Sequence, residues 1–170
     1  MDDRPLRRKY ARIERERRFL LAALPREVDP DDFVRLRDCF VSGTHLRLRH
    51  VEDPDGRVLV VKLGQKTPDP DAPNDARRRI MTTIYLPEDE AASLPLTGIE
   101  SVKRRYKLEE QGWTFCIDVW EEPSAAKGLI LSEVECPSDE ELGRITVPSW
   151  AEREVTEDAN YSAFVLAKGS

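Results

Sequence analysis

The sequence is constrained most by a two-residue alternation that recurs in short segments closed by turn residues. Between residues 44 and 52, for example, Leu46 and Leu48 alternate with Arg47 and Arg49. Successive side chains of a β-strand point to opposite faces, so the alternation predicts strands with one charged face. We predict such strands at 44–52, 57–66, 77–86, 99–108, 113–120 and 128–136.

Turn, loop and helix signals separate the predicted strands. The sequence Asp53-Pro54-Asp55-Gly56 and the pair Gln111-Gly112 are typical of tight turns, and the Pro- and Asp-rich segment 67–75 is predicted to be a loop. Short helices are predicted where an N-cap residue, a proline or acidic side chains mark a helix start. These helices are 29–38, 87–94, a helix after Ser138 and a last helix after Asp158.

The segment 8–24 fits two structures. As a helix it would gather its apolar side chains near one stripe, and its many Glu and Arg residues slightly favour this alternative. As a strand it would place Glu14, Glu16 and Arg18 on one face. The local pattern leaves both alternatives open.

Acidic residues stand two apart on single faces of the predicted strands. Glu14 and Glu16 form one pair, and Glu133 and Glu135 form another. Two carboxylates about 4 Å apart repel by about 4 kcal/mol at an effective dielectric constant near 20. Facing acidic pairs are therefore unfavourable without a cation between them, and Mg²⁺ prefers such oxygen ligands. The acidic rows predict a divalent-metal site.

Basic residues show the same spacing, as in Arg47 with Arg49 and Lys103 with Arg105. Arg binds phosphate oxygens bidentately and Lys supplies a point charge, so basic rows beside acidic metal ligands are typical of a phosphoryl-transfer site. An alternative stays open, because a chain rich in charge also forms such pairs on a solvated sheet face.

Chain length, net charge and cysteine content limit the classes of protein that this sequence can belong to. A chain of 170 residues fits one domain, which we place at 1–170, and its net charge of −6 argues against an obligatory nucleic-acid binder. No apolar run approaches the ~20 residues of a membrane span. Met1–Arg8 has no apolar core of a secretory signal, and three cysteines without Cys-x-x-Cys spacing fit a reducing compartment. We therefore predict a cytoplasmic protein.

The order of these motifs resembles the CYTH domain, the fold of the triphosphate tunnel metalloenzymes. The family signature Glu-x-Glu-x-Lys is similar to Glu14-Arg15-Glu16-Arg17-Arg18. Further segments resemble later family elements, so that the resemblance covers nearly the whole chain. These segments are Thr-His-Leu-Arg-Leu-Arg at 44–49, Val-Val-Lys-Leu-Gly at 60–64, Val-Lys-Arg-Arg-Tyr at 102–106, the Asp-bearing strand 115–119, the Glu-x-Glu strand 128–135 and the C-terminal elements between 154 and 161.

The resemblance implies an α+β fold, a closed eight-stranded antiparallel β-barrel that forms a triphosphate tunnel with short helices packed outside. It makes 8–24 a strand. It implies that Glu14 and Glu16 are catalytic, holding Mg²⁺ or Mn²⁺ and orienting the attacking water. Glu133 and Glu135 would bind metal from the opposite wall, with Asp118 nearby. The residues implied to bind the triphosphate are Arg18, Arg47, Arg49, Lys62, Arg79, Lys103 and Arg105.

Three departures from the family pattern stand out, one of which is Ala159 or Asn160 in place of the basic residue often found before the late tyrosine. Arg18 replaces the signature lysine, and Met81 or Thr83 stands where the family has an acid on the fourth strand. Lys66 and Tyr161 are considered for the site, but surface or packing positions are favoured for both. These departures bear on the choice of substrate more than on the fold.

The resemblance implies hydrolysis of a small-molecule triphosphate, with inorganic triphosphate the leading substrate and thiamine triphosphate next. An adenylyl cyclase of the same fold is the enzymatic alternative. A non-catalytic polyphosphate- or nucleotide-binding module is the alternative of a different class. Neither nucleic acid nor membrane is expected as a partner, and a homodimer is left open.

Overall fold

The structure, a computed structural model, describes residues 9–169 of the chain. The prediction made for Met1–Arg8 lies outside these residues. The described residues form nine β-strands. They are β1 (Arg12–Leu21), β2 (Val34–Val41), β3 (Leu46–Glu52), β4 (Val58–Pro68), β5 (Arg78–Leu86), β6 (Gly98–Glu110), β7 (Trp113–Glu122), β8 (Ile130–Glu135) and β9 (Arg153–Glu154).

Eight of these strands form a closed antiparallel barrel. Their order is β5-β4-β3-β2-β6-β7-β8-β1, and β1 pairs again with β5 to close the ring. The two-residue strand β9 adds to the edge of β1 at Phe19 and Leu20. The predicted fold class is confirmed, and the segment 8–24 contributes a strand rather than a helix.

Strand register places the charged rows on the inner face of the barrel. Glu16 lies opposite Glu135, and Arg18 lies opposite Glu133. On the other side of the ring Arg49 lies opposite both Asp38 and Lys62. Directly opposed residues share a face of an antiparallel sheet, so these side chains all point into the barrel.

The hydrophobic core lies on the outer face of the barrel wall. Phe19, Phe115 and Ile117 are fully buried there, between the strands and the segments that wrap around them. Trp150 covers this face, with its ring centroid 5.3 Å from that of Phe115. Because apolar burial is satisfied outside, the interior is left for polar side chains.

Short helices lie outside the barrel, as the resemblance implied. They are α1 (Glu88–Ala92), α2 (Asp139–Arg144), α3 (Ala163–Lys168) and two 3₁₀ turns at Ser124–Ala126 and Ala159–Tyr161. The predicted cap at Ser138 is confirmed, because its hydroxyl accepts the Glu141 N–H at 3.2 Å. Asp158 caps the second 3₁₀ turn, while Ser162 caps α3. Each α-helix of the described residues is far too short to cross a bilayer.

One predicted helix is wrong. The segment 29–38 contains only turns and the start of β2, which pairs with β3 and β6. Leu36 and Asp38 are buried, whereas Arg35 and Arg37 are more exposed, which is the two-residue period of a strand. The Asp29-Pro30 signal forms a turn, in which Asp29 Oδ1 accepts the Asp31 N–H at 2.9 Å. Barrel pairing therefore overrides the local capping signal.

Candidate active site

The interior of the barrel is a cavity of about 1060 Å³ with a strongly charged lining. Strands β1, β3, β4, β5, β6 and β8 all contribute ionic side chains to it. These side chains are Arg12, Glu14, Glu16, Arg18, Arg47, Arg49, Lys66, Arg79, Lys103, Arg105, Glu133 and Glu135. The structure therefore brings together both predicted glutamate pairs and most of the predicted phosphate-binding residues.

Four glutamates lie on two neighbouring strands of the cavity wall. Glu14 and Glu16 are nearly buried, with side chains 11% and 8% exposed. Glu135 is the register partner of Glu16, and Glu133 lies on the same face of β8. Such a concentration of negative charge requires cations close by.

Basic side chains from the neighbouring strands neutralise these glutamates. The Lys66 ammonium lies 2.5 Å from Glu14 Oε2 and 3.1 Å from each carboxylate oxygen of Glu16. Arg18 donates from Nη2 to Glu16 at 2.8 Å and from Nε to Glu133 at 3.4 Å. Arg12 forms an ion pair with Glu135. The replacement of the signature lysine by Arg18 thus produces a fork that joins β1 to β8.

Asp118 contacts two basic side chains of β6. Lys103 Nζ is 2.5 Å from Asp118 Oδ2, and Arg105 donates to both Asp118 oxygens at 2.6 and 2.7 Å. Burial would raise the pKa of Asp118, but the charges of Arg105 and Lys103 lower it. Asp118 does not line the cavity. The structure thus places this predicted metal-ligating residue behind two cations, which it orients.

Glu133 stands between the acidic and the basic groups. Its Oε2 accepts a bond from Arg105 Nη2 at 3.2 Å, opposite the contact from Arg18. Burial would raise the pKa of Glu133, but the charges of Lys103, Arg105 and Arg18 hold it well below the usual range. Glu133 is therefore an anion in this site.

A second buried acid, Asp38, orients the basic row of β3. Arg49 donates to both Asp38 oxygens at 2.6 and 2.7 Å, and Arg47 Nη1 is 3.9 Å from Asp38 Oδ2. Sequence reasoning missed Asp38 because it lay in the segment predicted to be a helix. Its place in the alternation Val34, Leu36, Asp38 was the signal that could have found it.

Three of the residues that were predicted to bind phosphate are not closely paired with a carboxylate. Among residues 9–169, Arg47, Arg79 and Lys62 have no carboxylate within 3.5 Å. Arg79 donates only to backbone carbonyls, and Lys62 lies over the Tyr85 ring at 5.6 Å. Lys62 is not in direct contact with the cavity, although it shares the inner face with Arg49. Burial and the Arg49 charge lower the pKa of both Arg47 and Lys62.

The two residues for which the sequence favoured surface or packing positions behave differently. Lys66 lines the cavity and contacts both Glu14 and Glu16, so the preference for a surface or packing position is wrong for this residue. Tyr161 does not line the cavity, and its hydroxyl accepts a bond from Arg153 at 3.0 Å. The packing role predicted for Tyr161 agrees with these contacts.

The carboxylates of Glu14 and Glu16 are oxygen donors of the kind that a hard divalent cation prefers. Within the described residues, no three acidic, histidine or cysteine side chains converge as a ready metal site. However, oxygens of Glu14 and Glu16 already converge on a single positive group, the Lys66 ammonium. Carboxylate oxygens on rigid strands, with no thiolate or imidazole among them, are suited to Mg²⁺ or Mn²⁺.

Comparison with solved structures identifies the fold. A crystal structure of the inorganic triphosphatase NE1496 matches 91% of this chain and 93% of its own, with a TM-score of 0.59 and 26% sequence identity. A second NE1496 structure has a TM-score of 0.58 and 26% identity over 91% of this chain and 97% of its own. No protein-family model and no curated protein matches the sequence.

A third match is to a proposed adenylate cyclase from Bacillus halodurans. It is 18% identical over 79% of this chain and 86% of its own, with a TM-score of 0.54, and it shows the fold alone. The chain has the CYTH-like tunnel fold, and the resemblance of its sequence to the CYTH domain is confirmed.

Proposed function

We propose that this protein is a divalent-metal-dependent triphosphatase that hydrolyses inorganic triphosphate, with thiamine triphosphate as the next candidate. The observation that carries this proposal is that one cavity contains two glutamate pairs together with Arg47 and Arg79, which have no carboxylate within 3.5 Å. The likeness to a structure named an inorganic triphosphatase supports it. A cytoplasmic location and a small-molecule rather than nucleic-acid or membrane partner are part of the proposal.

The basic side chains bind the polyphosphate. Arg47 and Arg79 offer guanidinium groups without a close carboxylate, and Arg49 and Arg105 are held in place by Asp38 and Asp118. Guanidinium forks bind phosphate oxygens bidentately, so preorganised arginines fix the chain of phosphates in one position. Lys62, Lys103 and Arg18 complete the proposed set.

The acidic side chains hold the metal and the water. Glu14 and Glu16 are proposed to bind Mg²⁺ or Mn²⁺ from β1, while Glu133 and Glu135 do so from β8. A bound divalent ion supplies electrostatic stabilisation of the charge that develops on the phosphate oxygens. The carboxylates of Glu14 and Glu16 also accept hydrogen bonds from a water and orient it towards the terminal phosphorus. The water oxygen forms the new P–O bond as the bridging P–O bond breaks, giving orthophosphate and diphosphate.

The size of the cavity favours one alternative, an adenylyl cyclase acting on ATP. About 1060 Å³ is at the upper end of ordinary ligand pockets and exceeds what an inorganic triphosphate fills. Phe40 and Phe164, whose rings meet edge to face at 5.7 Å, also line it. Such an aromatic surface suits a substrate that carries an organic ring.

Product analysis tests these functions. The protein is incubated with inorganic triphosphate, thiamine triphosphate and ATP, each with Mg²⁺, with Mn²⁺ or with a chelator. We expect metal-dependent release of orthophosphate, fastest from inorganic triphosphate. Cyclic nucleotide from ATP would establish the cyclase instead. Stabilisation by these compounds without turnover under any metal would establish a binding module.

A further inference from the structure

Lys66 lines the cavity but has no role in the proposed function. Its ammonium contacts Glu14 at 2.5 Å and both oxygens of Glu16 at 3.1 Å, so one side chain neutralises the proposed metal ligands of β1. An ammonium group is a compact point charge with three donors, and it fills the position between two carboxylates that a metal ion would need.

Closure of the barrel brings Lys66 to its position between Glu14 and Glu16. Strand β4 extends to Pro68, so Lys66 pairs with Met81 of β5. Met81 in turn pairs with Arg12 at the start of β1. The register thus carries Lys66 across the closing strand towards Glu14.

Lys66 is more exposed to solvent than Arg18, the other cation that contacts Glu16. The three guanidinium nitrogens of Arg18 are all engaged, by Glu16, Glu133 and the Tyr161 carbonyl. The Lys66 side chain makes only carboxylate contacts among the described residues and remains 34% exposed. Its flexible four-carbon stem allows the ammonium to leave without disturbing the strand.

We infer that Lys66 is a resident counter-ion, which holds Glu14 and Glu16 together without metal and is displaced when a divalent cation binds. This inference rests on the proposed function, since it requires the metal at Glu14 and Glu16. Lys66 thereby raises the metal concentration at which the site fills and keeps the empty barrel stable. It is a positioning residue and does not contact the reacting atoms.

Mn²⁺ binding without substrate tests the inference. The electron paramagnetic resonance signal of free Mn²⁺ gives the dissociation constant for the wild type, Lys66→Met and Lys62→Met. Lys62 is a matched control, because it lies on the same strand and face but touches neither glutamate. We expect Lys66→Met to bind Mn²⁺ at least about tenfold more tightly, equivalent to ~1.4 kcal/mol, and Lys62→Met to bind it as the wild type does.

Thermal unfolding provides a second measurement, in which the loss of Lys66 should be unfavourable rather than favourable. Without metal, Lys66→Met should unfold at a lower temperature than the wild type, because Glu14 and Glu16 then repel each other. Saturating Mn²⁺ should raise its unfolding temperature by more than that of the wild type. Lys66→Gln, measured in parallel, should follow Lys66→Met in both experiments.

The outcomes separate this inference from the proposed function. If Mn²⁺ binds the wild type and both Lys66 variants equally, or binds the variants more weakly, Lys66 is not a competitor although the metal site stands. An equal gain in Lys62→Met would assign the effect to total tunnel charge and overturn the inference. If none of the proteins binds Mn²⁺, the metal site of the proposed function fails, and the inference fails with it.

Discussion

Glu16 and Glu135 lie directly opposite each other on β1 and β8, so that two carboxylates occupy paired positions of the tunnel wall. Each is neutralised by its own cations, Glu16 by Lys66 and Arg18, and Glu135 by Arg12. Like charges at directly opposed positions destabilise a sheet. The barrel therefore contains these opposed charges at a cost in stability, which indicates that they serve its function.

Replacing either glutamate by glutamine tests that purpose. Glutamine keeps the shape of the side chain but removes the charge that a metal ion requires. For Glu16→Gln and Glu135→Gln we expect triphosphate turnover to fall by more than about 100-fold, because even indirect partners of metal ligands cost about 10–100-fold when replaced. Steady-state kinetics with Mg²⁺ or Mn²⁺ give the measurement.

Both variants should remain folded, because Lys66 keeps its contact with Glu14, Arg18 keeps its contact with Glu133 and Arg12 is largely exposed. Circular dichroism provides the control. Glu140→Gln is a suitable comparison, because Glu140 lies on the surface of α2 and is 75% exposed in its side chain. If both Glu16→Gln and Glu135→Gln retained metal-dependent activity, the roles assigned to the glutamates would be wrong.

Arg47→Ala is expected to weaken substrate binding more than it slows the chemical step. Arg47 lines the cavity, and its nearest carboxylate oxygen among the described residues is 3.9 Å away in Asp38. Loss of a charge-assisted phosphate contact costs about 1.5–3 kcal/mol, so we expect KM to rise roughly 10- to 100-fold. Titration of the initial rate with inorganic triphosphate measures the change. A normal KM with a strongly reduced kcat would contradict a binding role for Arg47.

Asp38→Asn should destabilise the fold, since it leaves the Arg49 guanidinium buried without its counter-charge. Removing one partner of a buried ion pair costs about 3–5 kcal/mol. Chemical denaturation at neutral pH measures this loss. Asp53→Asn provides the comparison, because Asp53 is paired with the exposed Arg57 and its loss should cost about 1 kcal/mol or less.

The same pair predicts how stability depends on pH. Burial would raise the pKa of Asp38, but Arg49 and Arg47 lower it well below its ordinary value of 3.8. A carboxyl whose pKa is depressed on folding stabilises the protein above its unfolded pKa, and this stability is lost as pH falls through the folded pKa. We expect the wild type to lose stability below about pH 4, and Asp38→Asn to lose less over that interval. Parallel acid titrations of unfolding free energy would show no difference if Asp38 were not ionised.

Gly64→Leu is expected to obstruct the tunnel while the barrel still forms. Gly64 lies opposite Arg47 on the inner face and lines the cavity. A Cβ there would lie 3.3 Å from the flexible end of Met81, so the strand accommodates it. We expect KM for triphosphate to rise by up to about 100-fold, the cost typical of a ~1 Å misplacement. Gly64→Ala should stay close to wild type, and an unchanged KM in Gly64→Leu would exclude this part of the cavity as the binding site.

Local sequence patterns determined most strands and their charged faces. The alternation at 44–52 and 128–136 predicted β3 and β8 within two residues at each end. The Gln111-Gly112 turn is confirmed by left-handed φ values of 55° and 78°. These features depend on side-chain direction and backbone preference within a few residues, so they can be read without the fold.

In some segments the local sequence pattern was ambiguous or wrong, and there only the tertiary structure decided the conformation. Residues 12–21 form a strand because they close the ring between β5 and β8, and residues 34–41 form a strand because β3 and β6 flank them. The role of Lys66 was not visible either, since its partners Glu14 and Glu16 are about fifty residues away in sequence. A row of charges in sequence specifies a face, but the register and closure of the barrel decide which opposite charges meet across it.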